Sequence, residues 1–151
     1  MILFDLTMHD AASGLPGLNR RLEALGAHFG WPARSLGALQ VGLDECITNI
    51  FEHGYSATGG CGPVRVVAVS SGATGTGALA QTGTIFARVE DWGPGFDPTG
   101  VTAPAGACSE GLNASLNAPL GQGLRLLHHL CSGLRYRRDR NRNRLSLQVP
   151  A

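Results

Sequence analysis

Lysine is absent: all twelve basic residues of this 151-residue chain are arginine. That excludes Schiff-base chemistry and any P-loop whose lysine reaches a nucleotide's phosphates. The bias is read as genome composition and carries no functional weight. No C-x-x-C pair occurs. Cys46, Cys61, Cys108 and Cys131 lie far apart, and the adjacent His128 and His129 have no cysteine at zinc-finger spacing, so buried or incidental thiols are expected. Charge is sparse, at 15 % of residues against about 25 % in an average globular domain. With a net charge of +1, whole-molecule attraction to nucleic acid or anionic lipid is not indicated. No apolar run approaches the ~20 residues of a membrane span. Met1-Ile2-Leu3-Phe4-Asp5 lacks a basic leader, so neither a signal peptide nor a membrane segment is expected and a cytoplasmic location is.

What is present suits one domain, residues 1–151, around one core: 43 % hydrophobic residues and an unusually high 22 glycines. The β-branched and apolar run Ile2 to Met8 reads as a strand. Gly14 and Pro16 punctuate it, and Leu18, Leu22, Leu25 and Phe29 then follow helical spacing until Gly30-Trp31-Pro32. A second helix is expected from about Ala33 to His53, with Leu36, Leu39, Leu43, Ile47 and Ile50 on its apolar side. Val64 to Val69 and Thr84 to Val89 read as strands joined by a small-residue hairpin connection. Residues 98–120 lack periodicity and carry one formal charge, Glu110. So long an irregular stretch suggests a lid over a ligand. A helix entered at Gly121-Gln122-Gly123 and a closing hairpin, Gly133 to Arg138 and Arg144 to Val149, complete the order β-α-α-β-β-lid-α-β-β. The expected class is α+β: a two-layer sandwich with helices on one face of a mixed, mainly antiparallel sheet.

Three motifs stand in one order. Glu45, Asn49 and His53 are four residues apart, each one helical turn from the last. A carboxylate, an amide oxygen and an imidazole in one row can take a proton, ligate a hard cation and face a phosphate. Magnesium suits so poorly furnished a site, because it keeps waters and borrows phosphate ligands. Next comes Asp91-Trp92-Gly93-Pro94-Gly95 at a strand end. Its acid can accept from an adenine amine, while the glycines admit close approach of base and sugar. Gly121-Gln122-Gly123-Leu124 opens a helix, where free backbone N–H groups and the positive end of the dipole suit a phosphate. Taken singly, the row on the helix is also what a solvated polar face looks like, and each glycine motif has structural explanations.

Together, E-x-x-x-N-x-x-x-H, D-x-G-x-G, a lid-length gap and G-x-G-L resemble the N box and two glycine boxes of the GHKL ATPase superfamily, which includes gyrase, histidine kinases and MutL. Within it, LDECITNIFEHGY and DWGPGFDP resemble the anti-sigma-factor serine kinases of bacterial partner-switching systems. The resemblance implies the Bergerat ATPase fold with ATP and Mg²⁺ as ligands, and residues 98–120 as the ATP lid. It makes Asn49 the magnesium ligand and Glu45 the base, and puts His53 near the phosphates. Asp91 would bind adenine, with Gly93 and Gly95 shaping its pocket, and Gly121 and Gly123 would cradle phosphates. The lid departs from the pattern in having no arginine; Arg125, one turn into the last helix, is the candidate substitute. The implied activity is phosphorylation of a serine on a STAS-domain antagonist, alternating with sequestration of a sigma factor or other regulatory target. A homodimer is implied by resemblance alone. A nucleotide-binding regulatory module with little kinase activity is the alternative, favoured by the arginine-free lid; a detached histidine-kinase domain is disfavoured because no phosphoacceptor helix is seen.

Six arginines, Arg135, Arg137, Arg138, Arg140, Arg142 and Arg144, crowd into ten residues near the last turn. Tyr136 is the one aromatic among them, and the net charge is close to zero. A solvated hairpin or a surface for an acidic partner is therefore expected rather than direct nucleic-acid binding.

Overall fold

The computed structural model describes residues 1–71, 83–95, 97 and 128–150. The chain opens with strand β1 (Ile2–Met8), followed by helices α1 (Ala11–Phe29) and α2 (Ala33–Asn49). Strands β2 (Val64–Ser71), β3 (Thr84–Asp91), β4 (Gly133–Asp139) and β5 (Arg142–Pro150) complete a five-stranded sheet in the order β1-β2-β3-β5-β4. All four neighbouring pairs are antiparallel, so the described sheet has no parallel component. The α+β two-layer class holds. The expected lid, the G-x-G helix entry, Cys108 and the connection between β2 and β3 over residues 72–82 fall outside the described residues.

Helix α1 starts earlier than the leucine spacing indicates. Asp10 caps it, with its carboxylate accepting the Ser13 N–H at 2.8 Å and the Ser13 hydroxyl at 2.6 Å. A cap of this kind stabilises a helix by about 1 kcal/mol. Pro16 lies within the helix rather than before it. Proline removes the hydrogen bond to the carbonyl of Ala12, and both residues are exposed, so water can take that place. Gly30, in the left-handed region at φ 66°, ends the helix and returns its N–H to the Gly26 carbonyl.

The core lies between the two helices and one face of the sheet. Leu18 and Leu22 of α1, and Leu39, Leu43 and Ile47 of α2, are fully buried against Val64, Val66, Ile85, Val89 and Leu147. Strand alternation sends the other residues of each strand to the opposite face, which none of the described elements covers. At the end of β3 this parity separates two neighbouring acids: Asp91 faces the helices and Glu90 the far side, although both are buried. None of the described helices is long and apolar enough to cross a membrane.

Two glycines of α1 test the packing in opposite directions. A Cβ on Gly14 would lie 2.8 Å from Cβ and Sδ of Met8, so helix and strand must part; a Cβ on Gly17 meets nothing within 4 Å. Alanine gains up to ~1 kcal/mol over glycine within a helix, while overpacking costs about 1–3 kcal/mol. Gly17→Ala is therefore expected to raise the thermal midpoint and Gly14→Ala to lower it, as differential scanning calorimetry of the two variants will read.

Candidate functional site

A cavity of about 440 Å³, the size of a small-molecule site, opens between the end of α2 and the ends of β3 and β5. Apolar walls come from Cys46, Ile50, Tyr136 and Leu145, and polar groups from Asn49, His53, Thr58, Asp91 and Asn143.

The helix that carries Asn49 does not continue to His53 in the expected form. From Ile50 to Tyr55 it widens into a π-helical turn, with the Ser56 N–H bonded back to the Phe51 carbonyl, and a short 3₁₀ turn follows at Ser56–Thr58. Such widened turns recur at functional sites. Asn49 ends the α-helix, half-buried, and its carboxamide has no hydrogen-bond partner among the described residues. His53 reaches the same cavity from the widened turn. Tyr55, which ends it, donates its hydroxyl proton to the Pro63 carbonyl at 2.8 Å and accepts the Trp92 N–H at 2.9 Å. One phenol thereby ties the widened turn to the start of β2 and the end of β3.

Asp91 stands directly across the sheet from Asn143. Its Oδ1 accepts the Gly93 N–H and the Asn143 amide, each at 2.8 Å, while Oδ2 has no partner among the described residues and Asp91 lines the cavity. Burial pushes the Asp91 carboxyl above its usual pKa, opposed by the Asn143 and Gly93 hydrogen bonds and by the charge of Arg138. Asn143 is 4 % exposed and fully engaged. Its amide nitrogen also donates to the Pro94 carbonyl at 2.9 Å, and its oxygen accepts from Tyr136 at 2.8 Å and Arg138 at 2.6 Å. Arg138 further holds the Gly93 carbonyl at 3.1 Å and runs beside Gly95, where a Cβ would come within 3.2 Å of its Cδ. An acid so fixed, its Oδ2 without a partner among the described residues, has the chemistry to accept a hydrogen bond from a donor placed in the cavity.

Asn49, His53, Asp91 and Gly95 thus line one cavity, with Gly93 bonded to the Asp91 carboxylate. Glu45 lies one turn before Asn49 on α2, partly buried, and does not line the cavity wall. Burial raises its pKa, and the charges of Asp44 and Glu52 raise it further. Gly121, Gly123 and Arg125 lie outside the described residues. Sequence reasoning missed Asn143, Tyr136 and Tyr55, and read Arg138 as one of a charge run. A signal for Asn143 existed: it shares strand parity with Leu145, Leu147 and Val149 and so occupies an inward position.

Residues 10–149 match the model of the histidine kinase-like ATPase domain, and the chain belongs to that family. The crystal structure of the RsbU and RsbW domains of Rv1364c from Mycobacterium tuberculosis is similar with a TM-score of 0.58 at 18 % sequence identity, a likeness of fold. It covers 98 % of this chain, which spans 33 % of that one. Among curated proteins none matches the chain by sequence.

Removing the Asn143 side chain strips Asp91 of one donor and leaves Arg138 without its acceptor. Asn143→Ala is expected to cost about 1–3 kcal/mol in urea unfolding. The sign of the pH effect follows from the direction of the Asp91 shift. A carboxyl raised by folding makes stability fall as pH climbs from its unfolded to its folded pKa. Losing a donor raises the folded value again, so Asn143→Ala steepens that fall, and carbon-13 titration of the Asp91 carboxyl is expected to move upward.

Proposed function

We propose that the chain is an ATP-dependent protein serine kinase of the anti-sigma type, acting in the cytoplasm. Its substrate is a serine of a STAS-domain antagonist, and it alternately holds a sigma factor or another regulatory target. The observation that carries the reading is the placement of Asn49 and Asp91 on facing parts of one cavity, with Glu45 a turn behind Asn49. Membership in the histidine kinase-like ATPase family supports ATP as the ligand, and the likeness to a structure containing an RsbW domain supports the partner-switching class.

In this reading Asp91 Oδ2 accepts the adenine amine while Gly93 and Gly95 keep the backbone close to the base. The Asn49 carboxamide oxygen fits a magnesium ligand: it is a hard donor without a described partner, and no group of three acidic, histidine or cysteine residues forms a cage among the described residues. Magnesium, when bound, neutralises phosphate charge. Glu45 takes the proton of the substrate serine as its Oγ bonds to the γ-phosphorus and the bond from that phosphorus to the ADP oxygen breaks. His53 faces the phosphates, by family resemblance so does the backbone at Gly121 and Gly123, and Arg125 stands in for the basic residue that the lid sequence lacks. Positioning and charge supply most of the catalysis of phosphoryl transfer, so this equipment suffices. Homodimerisation belongs to the same reading.

A nucleotide-binding regulator with little kinase activity is the second reading. It is favoured by the position of Glu45 off the cavity wall and by a lid sequence without arginine.

Incubation with Mg²⁺, γ-labelled ATP and STAS-domain proteins of the same genome separates the two. Glu45→Gln is expected to reduce phosphotransfer by about 10²-fold or more while leaving ATP affinity within a few-fold, and Asp91→Asn to abolish ATP binding. Unchanged transfer in Glu45→Gln removes Glu45 from the mechanism; ATP binding without transfer in the parent chain establishes the regulator. The pH profile carries a further mark. Because burial and two neighbouring acids raise the Glu45 pKa, the acid limb of kcat is expected above the usual glutamate range. Glu52→Gln, which removes one of those charges, is expected to move it down.

A further inference from the structure

The face of the sheet turned away from the helices carries a charge pattern that the ATPase reading does not use. Strand register sets it out in rows. Thr7, Arg65, Glu90, Arg144 and Arg137 form one row across the five strands, and Asp5, Val67, Arg88, Ser146 and Arg135 form the next. Ile2, Val69, Phe86 and Gln148 follow, and Arg142 stands beyond the first row. Glu90, only 1 % exposed, is the pivot: Arg144 lies 3.0 Å away, Arg88 3.2 Å, Arg65 3.4 Å and Arg142 3.8 Å. Six arginines share this face with three acids, Asp5, Glu90 and Asp139, leaving three positive charges in surplus on a chain whose net charge is +1. Arg135 and Arg137 have no ion pair among the described residues, and Arg137 stands directly opposite Arg144. Like charges in that position destabilise a strand pair, so Arg137 does not serve the pairing of β4 with β5, and Arg135 stands opposite the uncharged Ser146. Beside the arginines lies an apolar shoulder, with Ile2 71 % and Phe86 38 % exposed.

We propose that this face docks an acidic protein surface, an amphipathic helix whose carboxylates meet the arginines and whose apolar side covers Phe86, Val69 and Ile2. Guanidinium groups pair with carboxylates through two parallel hydrogen bonds, and arginine and aromatic residues are enriched where proteins meet. Charge complementarity selects this occupant. A nucleic acid would bring its phosphates against the carboxylates of Asp5 and Glu90, which the arginines hold in place, and against Asp139, and would leave the apolar shoulder uncovered. A second copy of the chain would bring two positive surpluses together. The face lies on the opposite side of the sheet from the cavity, so the inference is independent of the kinase reading.

The test uses the full chain and fluorescence anisotropy. The probes are a labelled amphipathic helical peptide of Glu and Leu, its counterpart with Lys in place of Glu, and a labelled DNA duplex. The Glu peptide is expected to bind in a salt-sensitive way and the Lys peptide not at all. The double variant Arg135→Thr with Arg137→Thr relieves the opposed charges and keeps β-favouring side chains. It is expected to weaken Glu-peptide binding about tenfold while leaving the affinity for an ATP analogue unchanged. Several results overturn the proposal: no binding of the Glu peptide, binding indifferent to the double variant, or tighter binding of the DNA duplex. So does sedimentation showing a dimer that the double variant dissociates, since the face would then be covered by a second copy.

Discussion

The amide of Asn143 donates to Asp91 across the sheet, and the polar edge of the cavity depends on that one hydrogen bond. A carboxylate buried among apolar side chains is costly unless its oxygens are met by donors. Asn143 and Gly93 meet one oxygen, which fixes the rotamer, and the other has no partner among the described residues. Asn143 cannot turn its amide over, because Tyr136 and Arg138 both donate to its oxygen while its nitrogen serves Asp91 and the Pro94 carbonyl. Tyr55 pins the same strand end from the other side. The Asp91 carboxylate is thus held by residues from β4, β5 and the widened turn, and the apolar walls come from as many segments: Cys46 of α2, Ile50 of the widened turn, Tyr136 of β4 and Leu145 of β5.

Much of this was legible in the residues. The apolar spacing of Leu39, Leu43 and Ile47 marked the buried side of α2, and the alternation in β2, β3 and β5 marked the core side of the sheet. Asp91 with its glycines marked a segment that the fold sets against the cavity, since an acid at a strand end followed by two glycines has close approach as its physical reading. What stayed hidden depends on contacts between distant segments. The widening after Asn49 leaves no mark in a helical wheel, because Ile50 continues the apolar spacing whether the turn is α or π. Arg138 is indistinguishable in sequence from its neighbours, and only strand parity turns it towards Gly93 while Arg137 faces away.

Net charge concealed the most. A sum of +1 is compatible with an even surface, yet the fold sorts arginine to one side of the sheet around a single buried glutamate. Glu90 keeps four guanidinium groups from spreading apart, so the cationic face has a fixed shape as well as a sign. The summed charge over a sequence window carries no such information, because sorting by side requires the register of all five strands.

Glu90 and Asp91 are consecutive, and one peptide unit separates the acid that organises the arginines from the acid that edges the cavity. Side-chain direction in a strand has a period of two, so a shift of one residue exchanges the two faces. Loss of one codon from the middle of β3 would turn Glu90 towards the cavity and Asp91 towards the arginines at once. The two surfaces cannot be edited separately by changing the length of this strand; insertions and deletions are confined to its flanks, and only substitution can alter one side and spare the other.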